Sequence, residues 1–118
     1  MKKRTRLVRR RDFQRVLGAP RLHSGPSLLV FAVPSPVPSG RVGVTVSRRV
    51  SGAVNRNRAR RRAREAVRLG FWAEGLGSAG SGIPFDVVVI ARPPALEAPF
   101  GSLLAEMTSA RRRLVGRR

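Results

Sequence analysis

The chain has 118 residues, and its 25 Lys and Arg set against 6 Asp and Glu leave a formal charge of +19, so its natural partner is a dense polyanion, with nucleic acid the leading candidate. The absence of Cys and the presence of a single His exclude a disulfide framework, a thiolate zinc site and a cysteine nucleophile. The longest apolar runs, Leu28 to Val33 and Val87 to Ala91, are far short of the ~18 residues of a membrane span, so the expectation is one cytoplasmic domain over residues 1–118 with no membrane partner.

In chain order, Phe13, Val16 and Leu17 recur at i, i+3 and i+4 and predict a short helix over Arg9 to Leu17. Leu28 to Val33 reads as a buried strand. Pro34 to Gly40 contains three prolines, which have no N–H to give a sheet or helix, and reads as a hairpin loop. Strict alternation over Arg41 to Ser47 predicts a strand with Val42, Val44 and Val46 facing the core. A middle helix runs from about Ala53 to Leu69 and is ended by Gly70. Gly75 to Gly82 is a low-complexity break, and Asp86 to Ala91 is a second buried strand, stopped by Arg92-Pro93-Pro94. Phe100, Leu103, Leu104, Met107, Ala110 and Leu114 form one stripe of a last helix over Pro99 to Val115. The pattern is that of an α+β domain with three strands and three helices.

The middle helix carries the informative residues. Between Arg48 and Arg68 lie nine arginines, no lysine and one acid, Glu65. At about 100° per residue, Asn57, Arg60, Arg61, Arg64 and Arg68 fall in one sector of about 100°, while Ala59, Ala63, Ala66 and Val67 fall in another. The small alanines let the helix lie close on a sheet, so the guanidiniums project from a rigid support. A planar guanidinium can hold two phosphate oxygens or stack on a base, which an ammonium cannot do. A merely solvated face mixes signs at i, i+4 spacing, whereas here Arg61 with Glu65 is the clearest opposite-sign pair. Arg56 projects into the apolar sector, so it either reaches round an edge of the sheet or sits in a frayed first turn.

Arg41-Val42-Gly43-Val44-Thr45-Val46-Ser47-Arg48-Arg49, followed by Ala53-Val54-Asn55-Arg56-Asn57-Arg58-Ala59-Arg60-Arg61-Arg62-Ala63-Arg64-Glu65, resembles the signature of the bacterial ribonuclease P protein subunit, including its Arg-Asn-Arg core at Arg56-Asn57-Arg58. The similarity extends to Arg6-Leu7, to Asp12 through Val16, to Leu28 through Val33, and to Asp86 through Ala91 followed by Arg92 and Pro94. The resemblance implies an α/β sandwich of order α-β-β-β-α-β-α, similar to a domain of some ribosomal proteins, with an additional short strand near Arg21 to Ser24. It also implies a left-handed crossover between the strands at Arg41 to Ser47 and Asp86 to Ala91, against the usual handedness rule.

That family's protein assists a catalytic RNA that removes the 5′ leader of precursor tRNA by metal-dependent hydrolysis. The resemblance therefore implies a catalytic RNA subunit and precursor tRNA as partners, with no protein partner required, and Mg2+ held mainly by the RNA subunit and the substrate. By matching position, Arg48, Arg49, Arg56, Asn57, Arg58, Arg60, Arg61, Arg64 and Arg68 would approach the RNA subunit. Phe13 and Phe31 would line a cleft for the single-stranded leader, with Leu17 standing where the family commonly has a second aromatic.

From the residues alone, a catalytic centre or metal site in the protein has no support. Asp12, Glu65, Glu74, Asp86, Glu97 and Glu106 are scattered, with no pair at helical spacing to act as acid and base or to hold two metals. His23 falls in a loop, Asp86 reads as a structural turn residue, and Gly75-Leu76-Gly77 lacks the lysine of a phosphate loop. Phe13 and Phe31 fit a core as well as a cleft. The rival reading is a ribosomal or nucleoid protein using the same cationic helix, although no helix-turn-helix pattern appears. A membrane-surface helix would need bulky apolar residues where this one has alanine.

Overall fold

The computed structural model describes residues 9–36, 40–72 and 85–116. The elements are α1 (Arg10–Leu17), β1 (Arg21–Ser24), β2 (Leu28–Pro34), β3 (Arg41–Val46), α2 (Ala53–Val67), β4 (Phe85–Ala91) and α3 (Phe100–Val115). A π-helical turn at Arg68–Trp72 prolongs α2, and a 3-10 turn at Pro93–Leu96 precedes α3. The order is α-β-β-β-α-β-α, as expected. The short strand β1 carries no periodicity of its own and lies where the family resemblance put it. Arg6-Leu7 and the glycine-rich break Gly75 to Gly82 lie outside the described residues.

One sheet has the strand order β1-β2-β4-β3. β2 is antiparallel to β1 and to β4, and β3 runs parallel to β4. This corrects the hairpin expected at Pro34 to Gly40, since β2 and β3 do not pair. β4 lies between them, with Val30 opposite Val89 on one side and Val44 opposite Val89 on the other. The reason is burial: Asp86 through Val89 are buried without alternation, the mark of a central strand covered on both faces. The real hairpin is β1–β2, closed by the Gly25 N–H donating to the Leu28 carbonyl.

The sheet separates two apolar clusters. On one face Leu28, Val30 and Ala32 of β2, Val42 and Val46 of β3, and Val87, Val89 and Ala91 of β4 pack with Ala59, Ala63, Ala66, Leu103, Met107, Ala110 and Leu114 of α2 and α3. Val44 packs at the margin, only partly buried. On the other face Val16 of α1 packs with Phe31 and Val88, flanked by Phe13, Leu29, Val33 and Ile90. α1 is only 8 residues long, so it cannot cover that whole face.

Gly70 does not end the middle helix. It is buried within the π-helical turn, where an added Cβ would lie 3.0 Å from Leu104 Cδ1 and 3.2 Å from the Leu104 carbonyl oxygen and Met107 Cβ. Glycine here allows α3 to approach closely, and the chain continues coiling until Phe71 is buried in the same cluster.

Candidate nucleic-acid interface

α2 begins at Gly52, whose φ of 87° is the left-handed conformation that favours glycine. Ala59, Ala63 and Ala66 have no exposed surface, so only methyl groups separate the helix axis from the sheet. On the far side Asn57, Arg58, Arg61, Arg64 and Arg68 are exposed and Arg60 is half-buried. Arg60 donates to Asn57 Oδ1 at 3.0 Å, which fixes one guanidinium beside a shallow concavity shared with Arg61 and Arg64. Glu65 pairs with Arg68 and not with Arg61. The hydrogen bond from Arg68 holds the Glu65 carboxyl below its ordinary range. The i, i+3 pair thus neutralises Arg68 and leaves Arg61 unpaired among the described residues.

Two arginines of this helix turn the other way. Arg56, expected to approach RNA, instead donates to the carbonyls of Ser47 at 2.9 Å, Val50 at 3.0 Å and Val46 at 3.3 Å. Its place in the apolar sector is explained, because the end of β3 and the following turn offer carbonyls that no ladder satisfies. Three of its five N–H groups are thereby committed to the protein. Arg62 donates to the carbonyls of Ala95 and Ala98 at 2.6 and 2.5 Å. Neither acceptor set can be read from the sequence around α2.

The sheet face left open by α1 forms a groove of about 660 Å³. Leu29, Thr45 and Ile90 line it from β2, β3 and β4, Pro93 and Pro94 wall one end, and Arg21, Arg48, Arg49 and Arg92 stand around it. The expected aromatic cleft is differently arranged. Phe31 is only 8% exposed beneath α1, where it fills core with Val16 and Val88. Phe13 is half-buried beside it, and Leu17 is exposed. The apolar floor is supplied instead by Leu29 and Ile90, which also border the α1 cluster. No contiguous motif could have revealed this lining, because it is gathered from all four strands and the turn after β4. Apolar surface for bases beside guanidiniums for phosphates is a pattern suited to single-stranded nucleic acid.

The described carboxylates are largely committed to structural pairs. Asp86 has no exposed side-chain surface and pairs with Arg15 of α1 and with Arg41, whose Nη2 lies at 2.7 Å. Burial raises the Asp86 carboxyl, but hydrogen bonds from Arg41, Ser35 and Arg15 outweigh it and the net direction is down. Asp12 lies 3.5 Å from Arg41. His23 is not in a loop but on β1, buried against Glu106. Among the described residues no three His, Cys, Asp or Glu side chains gather into a metal-binding group, and no helix is long and apolar enough to cross a membrane.

Residues 1–115 match the family model described as Ribonuclease P. The chain is 43% identical over 114 residues to the ribonuclease P protein component of Paramagnetospirillum magneticum, covering 92% of this chain and 81% of that one. It is 40% identical over 110 residues to the protein of the same name from Chloroflexus aurantiacus, covering 92% and 76%. Among solved structures, the RNase P protein from Thermotoga maritima superposes with a TM-score of 0.68 at 26% identity, over 91% of this chain and 96% of that one. The RNase P protein from Staphylococcus aureus, at 22% identity and a TM-score of 0.66, shares the fold.

Proposed function

Because the chain belongs to the ribonuclease P protein family and so is the protein component of a tRNA-processing ribonucleoprotein endoribonuclease, we propose that its two arginine-lined surfaces divide the RNA between them. α2 grips the catalytic RNA subunit through Arg58, Arg60, Arg61 and Arg64 with Asn57. The groove over Leu29, Thr45 and Ile90 takes the single-stranded 5′ leader of precursor tRNA. Arg48 and Arg49, in the turn between β3 and α2, stand where the two surfaces meet.

The observation that carries this reading is the continuity of the two surfaces: Arg48 and Arg49 border the groove, and the same turn leads into α2, whose exposed arginines begin at Arg58 on a helix whose back is buried. A ribosomal or nucleoid protein would account for the cationic helix but not for an adjoining apolar groove sized for unstacked bases. The bond-breaking step belongs to the RNA subunit, and Mg2+ held by that RNA and the substrate supplies the Lewis-acid chemistry. The pairing of Asp86, Asp12 and Glu65 with arginines, and of Glu106 with His23, supports this division of labour. The proposed assembly comprises this chain, its RNA subunit and precursor tRNA in the cytoplasm, with no further protein.

The test is reconstitution with the cognate catalytic RNA and a Thr45→Trp chain, which fills the groove without touching α2. The expected result is unchanged affinity for the RNA subunit and a reduced preference for long-leader over one-nucleotide-leader precursors. Equal preference by the parent and Thr45→Trp chains would overturn the groove assignment.

A further inference from the structure

Arg62 is half-buried. At about 100° per residue it lies at the margin of the buried sector of α2, between the directions of Arg58 and Ala66. Its guanidinium is spent on two backbone carbonyls, with Nη1 2.6 Å from Ala95 O and Nη2 2.5 Å from Ala98 O. Those carbonyls belong to the segment that joins β4 to α3. Its 3-10 turn is held by the Ala95 N–H on the Arg92 carbonyl and by the Glu97 and Ala98 N–H groups on the Pro94 carbonyl. The last carbonyls of so short a helix have no partner within it. Arg62 supplies a partner to one of them, at Ala95, and to the Ala98 carbonyl two residues beyond the turn.

This segment straddles the end of the sheet. Pro93 and Pro94 wall the groove, whereas Ala95, directly after them, is buried in the cluster under α2 and α3. The two prolines have fixed φ, and the hydrogen bonds of the 3-10 turn on the Arg92 and Pro94 carbonyls link this wall to the carbonyls behind it. Ser47 to Arg49, which follow the neighbouring parallel strand β3 and stand beside the prolines at the same end of the sheet, are held by the same helix through Arg56 on the Val46, Ser47 and Val50 carbonyls. The helix that presents arginines outward therefore reaches back with two others to the two segments that line this end of the groove.

We propose that Arg62 is a positioning residue for leader recognition: its fork on the Ala95 and Ala98 carbonyls ties the Pro93–Pro94 wall to α2, so that the helix that docks on the RNA subunit also fixes where that end of the groove stands. The proposal rests on the groove being the leader site. Charge alone does not perform this task, because an ammonium has no rigid fork with which to span two carbonyls three residues apart. Arg62→Lys therefore keeps the charge and removes the span.

The experiment compares parent, Arg62→Lys and Thr45→Trp chains, each reconstituted with the catalytic RNA. It measures affinity for that RNA, the unfolding midpoint of the free chain, and the ratio of kcat/KM for long-leader over one-nucleotide-leader precursors. Arg62→Lys is expected to bind the RNA subunit within about twofold of the parent and to lose about threefold or more of the leader preference, as Thr45→Trp does. Arg62→Lys with full preference, beside a Thr45→Trp chain that has lost it, would overturn the strut and leave the groove assignment standing. A Thr45→Trp chain with full preference overturns the groove assignment and the strut with it. A fall in midpoint and RNA affinity for Arg62→Lys, with no selective effect on long leaders, assigns Arg62 to folding alone and also overturns the proposal.

Discussion

His23 Nε2 lies 2.9 Å from Glu106 Oε1, across 83 residues of sequence. Glu106 also accepts the backbone N–H groups of Ser27 and Leu28, each at 3.1 Å, so one buried carboxylate of α3 fastens the β1–β2 hairpin. Glu106→Ala strands these donors out of water and is expected to cost about 3 kcal/mol. Urea unfolding at neutral pH measures the loss. Gly25→Ala is expected to act in the same direction, because its Cβ would lie 1.9 Å from Glu106 Oε1 and 2.6 Å from His23 Nε2.

Asp86 fastens the other side of the sheet, joining α1 through Arg15 and the start of β3 through Arg41. Asp86→Asn leaves two guanidiniums without their buried charge and is expected to cost about 3 kcal/mol. Because the folded-state value lies below the ordinary 3.8, the carboxylate's contribution is fully present above that value and is lost as pH falls through the lower, folded-state value. Parent and variant stabilities should therefore converge in acid, as read by denaturant midpoints between neutral pH and about pH 3.

Replacing Arg60, Arg61 and Arg64 together by Ala is expected to weaken binding to the RNA subunit. It should also flatten the dependence of log affinity on log salt by about 0.7–0.9 for each phosphate no longer neutralised. A filter-binding titration across salt concentrations reads the slope. The buried side of α2 is untouched by these substitutions, so the unfolding midpoint should hold. An unchanged slope would remove these side chains from the RNA interface.

Gly70→Ala inserts a methyl group against the Leu104 carbonyl and Met107 Cβ. The backbone oxygen cannot rotate away as a side chain can, so a loss of about 1–2 kcal/mol is expected from displacement of α3. Thermal unfolding followed by circular dichroism measures it. Affinity for the RNA subunit, assayed well below the unfolding midpoint, should be little changed.

The helices and the two long inner strands were legible because their signal is local. Phe13 and Val16 on α1, the alanine face of α2 and the Leu103–Leu114 stripe of α3 announce themselves by spacing, and Val87 through Ala91 by unbroken apolarity. The arginine-bearing side of α2 was legible for the same reason, since a single helix brings Asn57, Arg60, Arg61 and Arg64 together by pitch alone. Identical guanidiniums, however, take different roles according to what lies within reach. Arg56 and Arg62 meet backbone carbonyls outside the sheet ladder at Ser47, Val50, Ala95 and Ala98 and turn inward, while Arg61 points to solvent. Phe31 became core because α1 folds over it, and the groove passed to Leu29, Thr45 and Ile90, residues from three strands with no sequence proximity. Strand order was likewise a tertiary decision: β4, apolar on both faces, gains most from the centre of the sheet and displaces the β2–β3 hairpin that the prolines suggested. Sequence alone determined the three helices, the three longer strands and that the chain meets a polyanion, because periodicity and charge are properties of short stretches, whereas β1 is too short to carry a period. Only the tertiary structure decided which arginines face outward and where the open apolar groove lies, because both depend on which distant backbone carbonyls and apolar side chains the fold brings together.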